Sequence, residues 1–340
     1  MKRRLRLAVL THPSLVPPDS LEGYSEQEAY EWKTEYDVVT TLRELGHDVR
    51  VLAVADELTP IRDAVVEWKP DIIFNLLEEF LGRQEFDHHV VSFLELMQVA
   101  YTGCHPRGLM LARDKALSKK LLAYHHVPVP KFAVYPRRRR VVRPKGLDFP
   151  LIVKSLVHEA SLGISQASIV DTDEKLRERV AFIHKSNGSD AIAEQYVDGR
   201  ELYAAVIGNA RMEVLPVWEL LFENLPPGAV PIATARVKHN TDYQRRRGIY
   251  QQAAEDLSPA LRQTVIHTTR RIARILDLDG YSRIDYRLSP DGKLYFLEAN
   301  PNPDVARSEE FASAAEARGL SYPALIQRIV RLGLNRVAGG

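Results

Sequence analysis

Asp285, Glu298 and Asn300 are the residues of this chain whose types and spacing best suit a hard cation. They sit in the stretch Tyr281-Ser-Arg283-Ile-Asp285-Tyr-Arg-Leu-Ser289-Pro-Asp-Gly292-Lys-Leu-Tyr-Phe-Leu-Glu298-Ala-Asn300. Two runs rich in Tyr, Ile, Leu and Phe flank Ser-Pro-Asp-Gly, which suits a type I turn with Pro290 second and Gly292 fourth. With Ser289 paired to Gly292, Asp285 is expected opposite Phe296 and diagonal to Glu298, and Arg283 opposite Glu298. Side chains alternate along a strand, so Arg283, Asp285, Glu298 and Asn300 then share one face. A slip of one residue would put the two carboxylates on opposite faces. Two carboxylates and an amide oxygen are the ligand set of Mg²⁺ held partly by nucleotide phosphates. The structural alternative is a surface hairpin with a cross-strand Arg–Glu pair.

Other residues point to the same chemistry. Lys154 ends the apolar run Pro150-Leu-Ile-Val153 and precedes the small-residue loop Ser155-Leu-Val-His-Glu-Ala-Ser161-Leu-Gly163. An ammonium at a strand end, followed by backbone N–H groups, can surround phosphate oxygens. The loop has one glycine and no GxxxxGK[ST], which excludes a P-loop enzyme. Lys115 offers a second phosphate lysine, with an ordinary charged helix face as the alternative. Glu194-Gln-Tyr-Val197 follows Ala191-Ile-Ala193 and can present backbone groups to an adenine edge, and Glu201 can hold ribose hydroxyls. Either glutamate taken alone would more often be a solvated strand-end residue.

The elements that must position these residues alternate over the first hundred positions. Strands are expected at Leu5–Leu10, Asp48–Val54 and Asp71–Leu76. Helices are expected from a capping box at Ser25-Glu-Gln-Glu28 to near Gly46, over Pro60–Trp68, and over Phe86–Val99. That order implies a parallel α/β sheet. The loop Thr11-His-Pro-Ser-Leu-Val-Pro-Pro18 has no glycine for the close phosphate approach of a dinucleotide fold, which argues against a dehydrogenase. A helix over Leu109–Tyr124 ends at a linker marked by Pro128 and Pro130. Beyond it strands dominate, with helices at Asp173–Ser186 and Pro259–Leu276.

At 340 residues two or three domains are expected. The formal charge of +1 suggests neither a nucleic-acid nor a membrane partner. Arg137-Arg-Arg-Arg140 reads as a solvated loop in preference to a polyanion site. A single cysteine, Cys104, rules out an internal disulfide framework and a CxxC zinc site. Without a signal-like segment or a run of roughly 18 apolar residues, a cytoplasmic location is expected.

In this order, the lysine, loop, Glu-x-x-Val, glutamate and C-terminal Asp…Glu-x-Asn resemble the ATP-grasp superfamily, and within it the D-alanine–D-alanine ligase branch. The likeness runs through Tyr101-Thr-Gly103, Asp114-Lys115, Lys119-Lys120, Lys154, Ser161, Glu194, Glu201, Lys238, Arg283, Asp285, Glu298 and Asn300, to a closing helix near Gly319–Ile326. It implies an α/β three-domain architecture. Residues 1–108 would form a parallel α/β domain, 109–193 the central ATP-grasp subdomain, and 194–340 the C-terminal subdomain bearing the metal hairpin. ATP would lie between the last two. Lys115 and Lys154 would bind phosphates, Glu194 and Val197 the adenine, Glu201 the ribose and Lys238 the γ-phosphate region. Asp285, Glu298 and Asn300 would hold two Mg²⁺, with Mn²⁺ an acceptable substitute. Ser161, Lys238 and Arg283 would act in catalysis, Arg283 on the tetrahedral oxyanion. The reaction implied is phosphorylation of a small carboxylate to an acyl phosphate, then attack by an amine, and the branch is commonly dimeric.

This sequence departs from the branch where amino-acid substrates bind. The branch's early Glu-x-Glu-x-Ser glutamate has no match in the corresponding loop, Thr11-His-Pro-Ser, and the tyrosine after the lysine at 238 is His239. Its Glu-x-Asn-x-x-Pro-Gly motif reads Glu298-Ala-Asn300-Pro-Asn-Pro303-Asp304, and a small hydroxyl residue falls near Glu309, beside Arg307. Nucleotide chemistry is therefore expected to be kept and D-alanine to be a poor substrate. Two other functions compete: an ATP-grasp phosphotransferase or carboxylase, and a non-catalytic ATP-binding regulator.

Overall fold

The computed structural model describes residues 4–158 and 163–337. Its N-terminal part alternates strand and helix: β1 (Arg6–Thr11), α1 (Glu26–Glu31), α2 (Lys33–Glu44), β2 (Asp48–Ala53), α3 (Thr59–Asp63), β3 (Ile72–Asn75) and α4 (Asp87–Leu96). The three strands form a parallel sheet in the order β2-β1-β3. The capping box at Ser25 and Glu28 forms, but α1 ends at Trp32 and α2 starts anew, so the single helix expected there is two.

Next come α5 (Pro106–Arg113) and α6 (Lys115–Tyr124), also expected as one helix. The break is chemical: the Asp114 carboxylate accepts from the N–H groups of Ala116 and Leu117 and caps α6. A four-stranded sheet follows, built from β4 (Phe132–Tyr135), β5 (Leu151–Ser155), β6 (Ile169–Val170) and β7 (Ala191–Gln195), with α7 (Asp173–Ser186) packed on it.

The chain crosses to a second antiparallel sheet after Gln195. The expected boundary at 193/194 cuts through β7; the passage between sheets lies at 196–199. Gly199 makes it possible: its φ is +132°, and a Cβ there would come within 2.0 Å of the Leu288 carbonyl oxygen. The larger sheet runs β11-β10-β8-β12-β13, with β9 on β8. It comprises β8 (Arg200–Gly208), β9 (Glu213–Val214), β10 (Trp218–Phe222), then, after α8 (Ala235–His239) and α9 (Thr241–Arg247), β11 (Ile249–Ala253) and, after α10 (Pro259–Ile275), β12 (Gly280–Leu288) and β13 (Leu294–Asn300). α11 (Glu310–Ala317) and α12 (Tyr322–Val337) close the chain.

The cores join what the sequence separates. Leu7, Val9, Ile72 and Phe74 of the parallel sheet share one core with Ile207, Tyr281, Phe311, Ile326 and Val330. Leu109, Ala112 and Leu122 of α5 and α6 pack in a core that includes Ile284, Phe296 and Ala299 of the large sheet. The four-stranded sheet has a core of its own around Val153, Leu176, Val180 and Ala193. Arg137, Arg138, Arg139 and Arg140 lie on an exposed turn, as read from the sequence. No described helix is long and apolar enough to cross a membrane.

Candidate functional site

The hairpin carries its polar face by a different register from the one expected. The Gly292 N–H donates to the Ser289 carbonyl across the turn at 2.9 Å, but the ladder pairs Ser289 with Lys293, and Gly292 takes φ 82°. From there Leu288 lies opposite Leu294 and Tyr286 opposite Phe296. Continued unbroken, that register would put Asp285 opposite Leu297, and Glu298 on the wrong face. A bulge at Leu297 restores it: Asp285 faces Glu298 directly and Arg283 faces Asn300. The shared face survives, though Asp285 is not opposite Phe296 and Arg283 is not opposite Glu298.

Arg283 is already engaged on that face. Its Nε and one terminal nitrogen donate to the two oxygens of Asp285, at 2.7 and 3.0 Å, and the other terminal nitrogen pairs with Glu310 at the start of α11. The cross-strand Arg–Glu pair of the structural alternative does not form; the arginine pairs along its own strand and with α11. The donor set of Asp285, Glu298 and the Asn300 amide oxygen is all hard oxygen on one face, and fits a divalent cation. A cation there would have to share Asp285 with Arg283.

Glu298 is the anionic centre of a lysine-rich wall. Burial favours its neutral form, but Lys115, Lys154, Lys238 and Lys119 outweigh burial and hold its carboxyl far below the ordinary range. Lys115 Nζ stands 3.8 Å from it and donates to the His158 carbonyl at 2.7 Å. Lys115 and Lys119 are one turn apart on α6, so the Asp114 cap that starts this helix aims both inward.

Glu194 is buried between two ammonium groups, Lys119 and Lys154, each 3.2 Å from Oε1. Burial alone would raise its pKa, and the two lysines pull it below the usual value. Burial takes Lys119 down to about 8 against the pull of Glu194. Lys154 goes the other way: burial lowers its pKa, and Glu194 with Glu298 more than reverses that. Glu201 accepts from Arg287 at 2.8 Å and from the Tyr203 hydroxyl at 2.9 Å.

These side chains line one cleft. Lys154, Glu194, Val197, Glu201, Lys238, Asp285 and Glu298 border it, with Ile152, Ile164 and Leu297 as apolar walls. At Lys238 and Glu298 the cleft meets a chamber of about 710 Å³ that also reaches Lys115, Arg283 and Asn300. Of the residues expected in the site, the structure thus brings Lys115, Lys154, Glu194, Val197, Glu201, Lys238, Arg283, Asp285, Glu298 and Asn300 around one connected space. Ser161 lies outside the described residues.

Two side chains without a sequence signal shape the chamber. Lys33, at the start of α2, pairs with Glu309 and lies 3.6 Å from Asp304, whose other oxygen accepts from Thr34 at 2.7 Å. Arg307, the neighbour in sequence, turns instead to Asp37 and Thr41. Glu310 is the other, hidden in an ordinary helix start. No local pattern announces either, because each acts through a partner far along the chain.

A family model described as the D-ala D-ala ligase C-terminus matches residues 121–331. A D-alanine–D-alanine ligase of Nitratidesulfovibrio vulgaris is 30% identical over 311 residues, 89% of this chain and 95% of that protein. One from Desulfotalea psychrophila is 29% identical over 99% of this chain and 97% of its own length. The crystal structure of the Bacillus anthracis D-alanine–D-alanine ligase complexed with ATP matches the fold with a TM-score of 0.76, at 20% identity, over 99% of both chains.

Proposed function

The chain belongs to the D-alanine–D-alanine ligase family and is an ATP-dependent carboxylate–amine ligase, and we propose that it works through an acyl phosphate formed in the cleft described above. The observation that carries this reading is the meeting, at Lys238 and Glu298, of a lysine-lined cleft with a chamber large enough for two small substrates. A carboxylate is a poor electrophile. Transfer of the γ-phosphoryl to its oxygen forms an O–P bond, breaks the bond to ADP and makes phosphate the leaving group. An amine nitrogen then attacks the acyl carbon, the C–O bond to phosphate breaks, and the amine gives up a proton.

Phosphoryl transfer needs charge neutralisation and alignment more than covalent help. Lys115 and Lys154 are assigned to the phosphates, Lys238 to the γ-phosphate region at the mouth of the chamber, and Glu194 and Val197 to the adenine. Glu201 is assigned to the ribose, oriented by Arg287 and Tyr203. Asp285, Glu298 and Asn300 would hold two Mg²⁺, which neutralise phosphate charge when bound. Arg283 is assigned to the oxyanion of the tetrahedral intermediate, with Asp285 and Glu310 fixing its plane. Ser161, outside the described residues, is assigned to the substrate side.

Glu298→Gln tests the assignment. Its isosteric amide keeps the fold and loses the charge that a divalent cation needs, so Mg²⁺-dependent ADP release should fall by at least about a hundredfold. Unchanged turnover at saturating Mg²⁺ would overturn the metal site. ADP release that requires both an acid and an amine, with the amide seen by mass spectrometry, tests the reaction; release with one small substrate alone would point to a phosphotransferase.

A further inference from the structure

We propose that Lys119 is a positioning residue of this site, holding the β-bulge that sets Glu298 opposite Asp285 and coupling it to the strand that carries Glu194. The inference rests on the metal and nucleotide assignments above and names the device that keeps them in register.

The bulge is the critical point. Without the extra residue at Leu297, the pairing from Leu288–Leu294 and Tyr286–Phe296 would send Glu298 to the far face of the sheet. A bulge leaves one residue outside the ladder, and its backbone groups need other partners. Here β13 is the last strand of the sheet, and the partners come from its outer side. The Leu297 carbonyl accepts from Lys119 Nζ. The Phe296 N–H donates to the Pro128 carbonyl at 2.9 Å, so the linker after α6 completes the hold. The Phe296 ring lies 5.3 Å from the same ammonium.

Lys119 is fully buried and reaches in two directions. Its ammonium also stands 3.2 Å from Glu194 Oε1, and Glu194 binds Lys154 at the same distance. One buried cation therefore joins the end of β7, in the four-stranded sheet, to the bulge of β13, in the large sheet. The Leu297 side chain lines the nucleotide cleft while its carbonyl is held from behind. A phosphate lysine would face the cleft or the chamber that adjoins it, as Lys154 and Lys115 do; Lys119 lines neither, and acts through Leu297 and Glu194.

The test separates positioning from phosphate binding. Lys119→Met keeps the length and burial of the stem and removes the donor and the charge. Calorimetric affinity for ADP is measured on the full chain with Mg²⁺ and again in EDTA. Groups that orient a metal ligand change metal affinity by about 10- to 100-fold. The variant should therefore lose about tenfold or more in affinity with Mg²⁺ and much less without it, and the Mg²⁺ concentration for half-maximal binding should rise. Lys119→Gln, whose amide NH2 can still donate, should recover part of the loss, and carries the same comparison if the methionine variant does not fold. Equal losses with and without Mg²⁺, or no loss, would overturn the proposal. Failure of the wild-type protein itself to bind ADP with Mg²⁺ would instead strike at the nucleotide assignment.

Discussion

Burial drives the Glu35 carboxyl up to about 7, with Asp304 adding to the push and the Thr11 hydroxyl, 3.3 Å away, opposing it. Because the folded value lies above the ordinary 4.5, the fold favours the neutral form. The resulting stabilisation is fully present below about 4.5 and is lost as pH rises through about 7. Glu35→Gln is neutral at every pH and can still accept from Thr11. Its melting temperature relative to wild type should therefore rise between pH 5 and pH 8, by an amount reflecting at most about 3 kcal/mol. A difference that is the same at both pH values would show that Glu35 is solvated and ionised as usual. Lys154 gives a second test at this scale. Charge-assisted hydrogen bonds contribute about 1.5–3 kcal/mol, so Lys154→Ala should weaken ATP by about 10- to 100-fold and adenosine far less. Calorimetry showing equal losses for both ligands would remove Lys154 from the phosphates.

Among the elements, what the sequence disclosed was what local chemistry decides. The turn at Ser289–Gly292, the apolar flanks and the common face of Asp285, Glu298 and Asn300 follow from residue types and the period of two along a strand. The register does not, because the Leu297 bulge is held by Lys119 and Pro128, which no reading of the hairpin alone contains. The break between α5 and α6 was readable in principle: Asp114 stands before Lys-Ala-Leu with the side chain of a good N-cap. Apolar spacing continued across it and hid it. Lys154, Glu194 and Glu298 were legible because each ends an apolar run, whereas Lys238 came only with the family resemblance. Lys33 and Glu310 were not, because a charged residue in the first turn of a helix looks the same whether it faces water or a partner from another part of the chain.

At the scale of the whole molecule, α2 brings Lys33 to the loop that follows the metal hairpin, and so decides what the chamber can accept. Asp304 and Glu309 are two carboxylates of which Arg307, their neighbour in sequence, could neutralise one. Lys33 takes that place, and Arg307 is held away by Asp37 and Thr41. One lysine shared by two carboxylates leaves this corner with a net negative charge. A second substrate bearing a free carboxylate would meet that charge in a partly dry site, where like charges cost on the order of several kcal/mol. Trp218, Leu220, Ile249 and Tyr250, which line the same chamber, offer apolar surface to a larger amine. Little D-alanyl-D-alanine should therefore form, and turnover should be better with an amine that lacks a free carboxylate or carries extra positive charge. Lys33→Ala should sharpen that preference, since it leaves both carboxylates uncompensated, whereas Arg307→Ala should leave it nearly unchanged. ADP release measured across a panel of amines with each variant decides the matter. Robust D-alanine dimerisation by the wild-type protein, at the micromolar to millimolar Michaelis constants usual for enzymes, would show that Lys33 neutralises the corner fully and that the chamber takes amino acids after all.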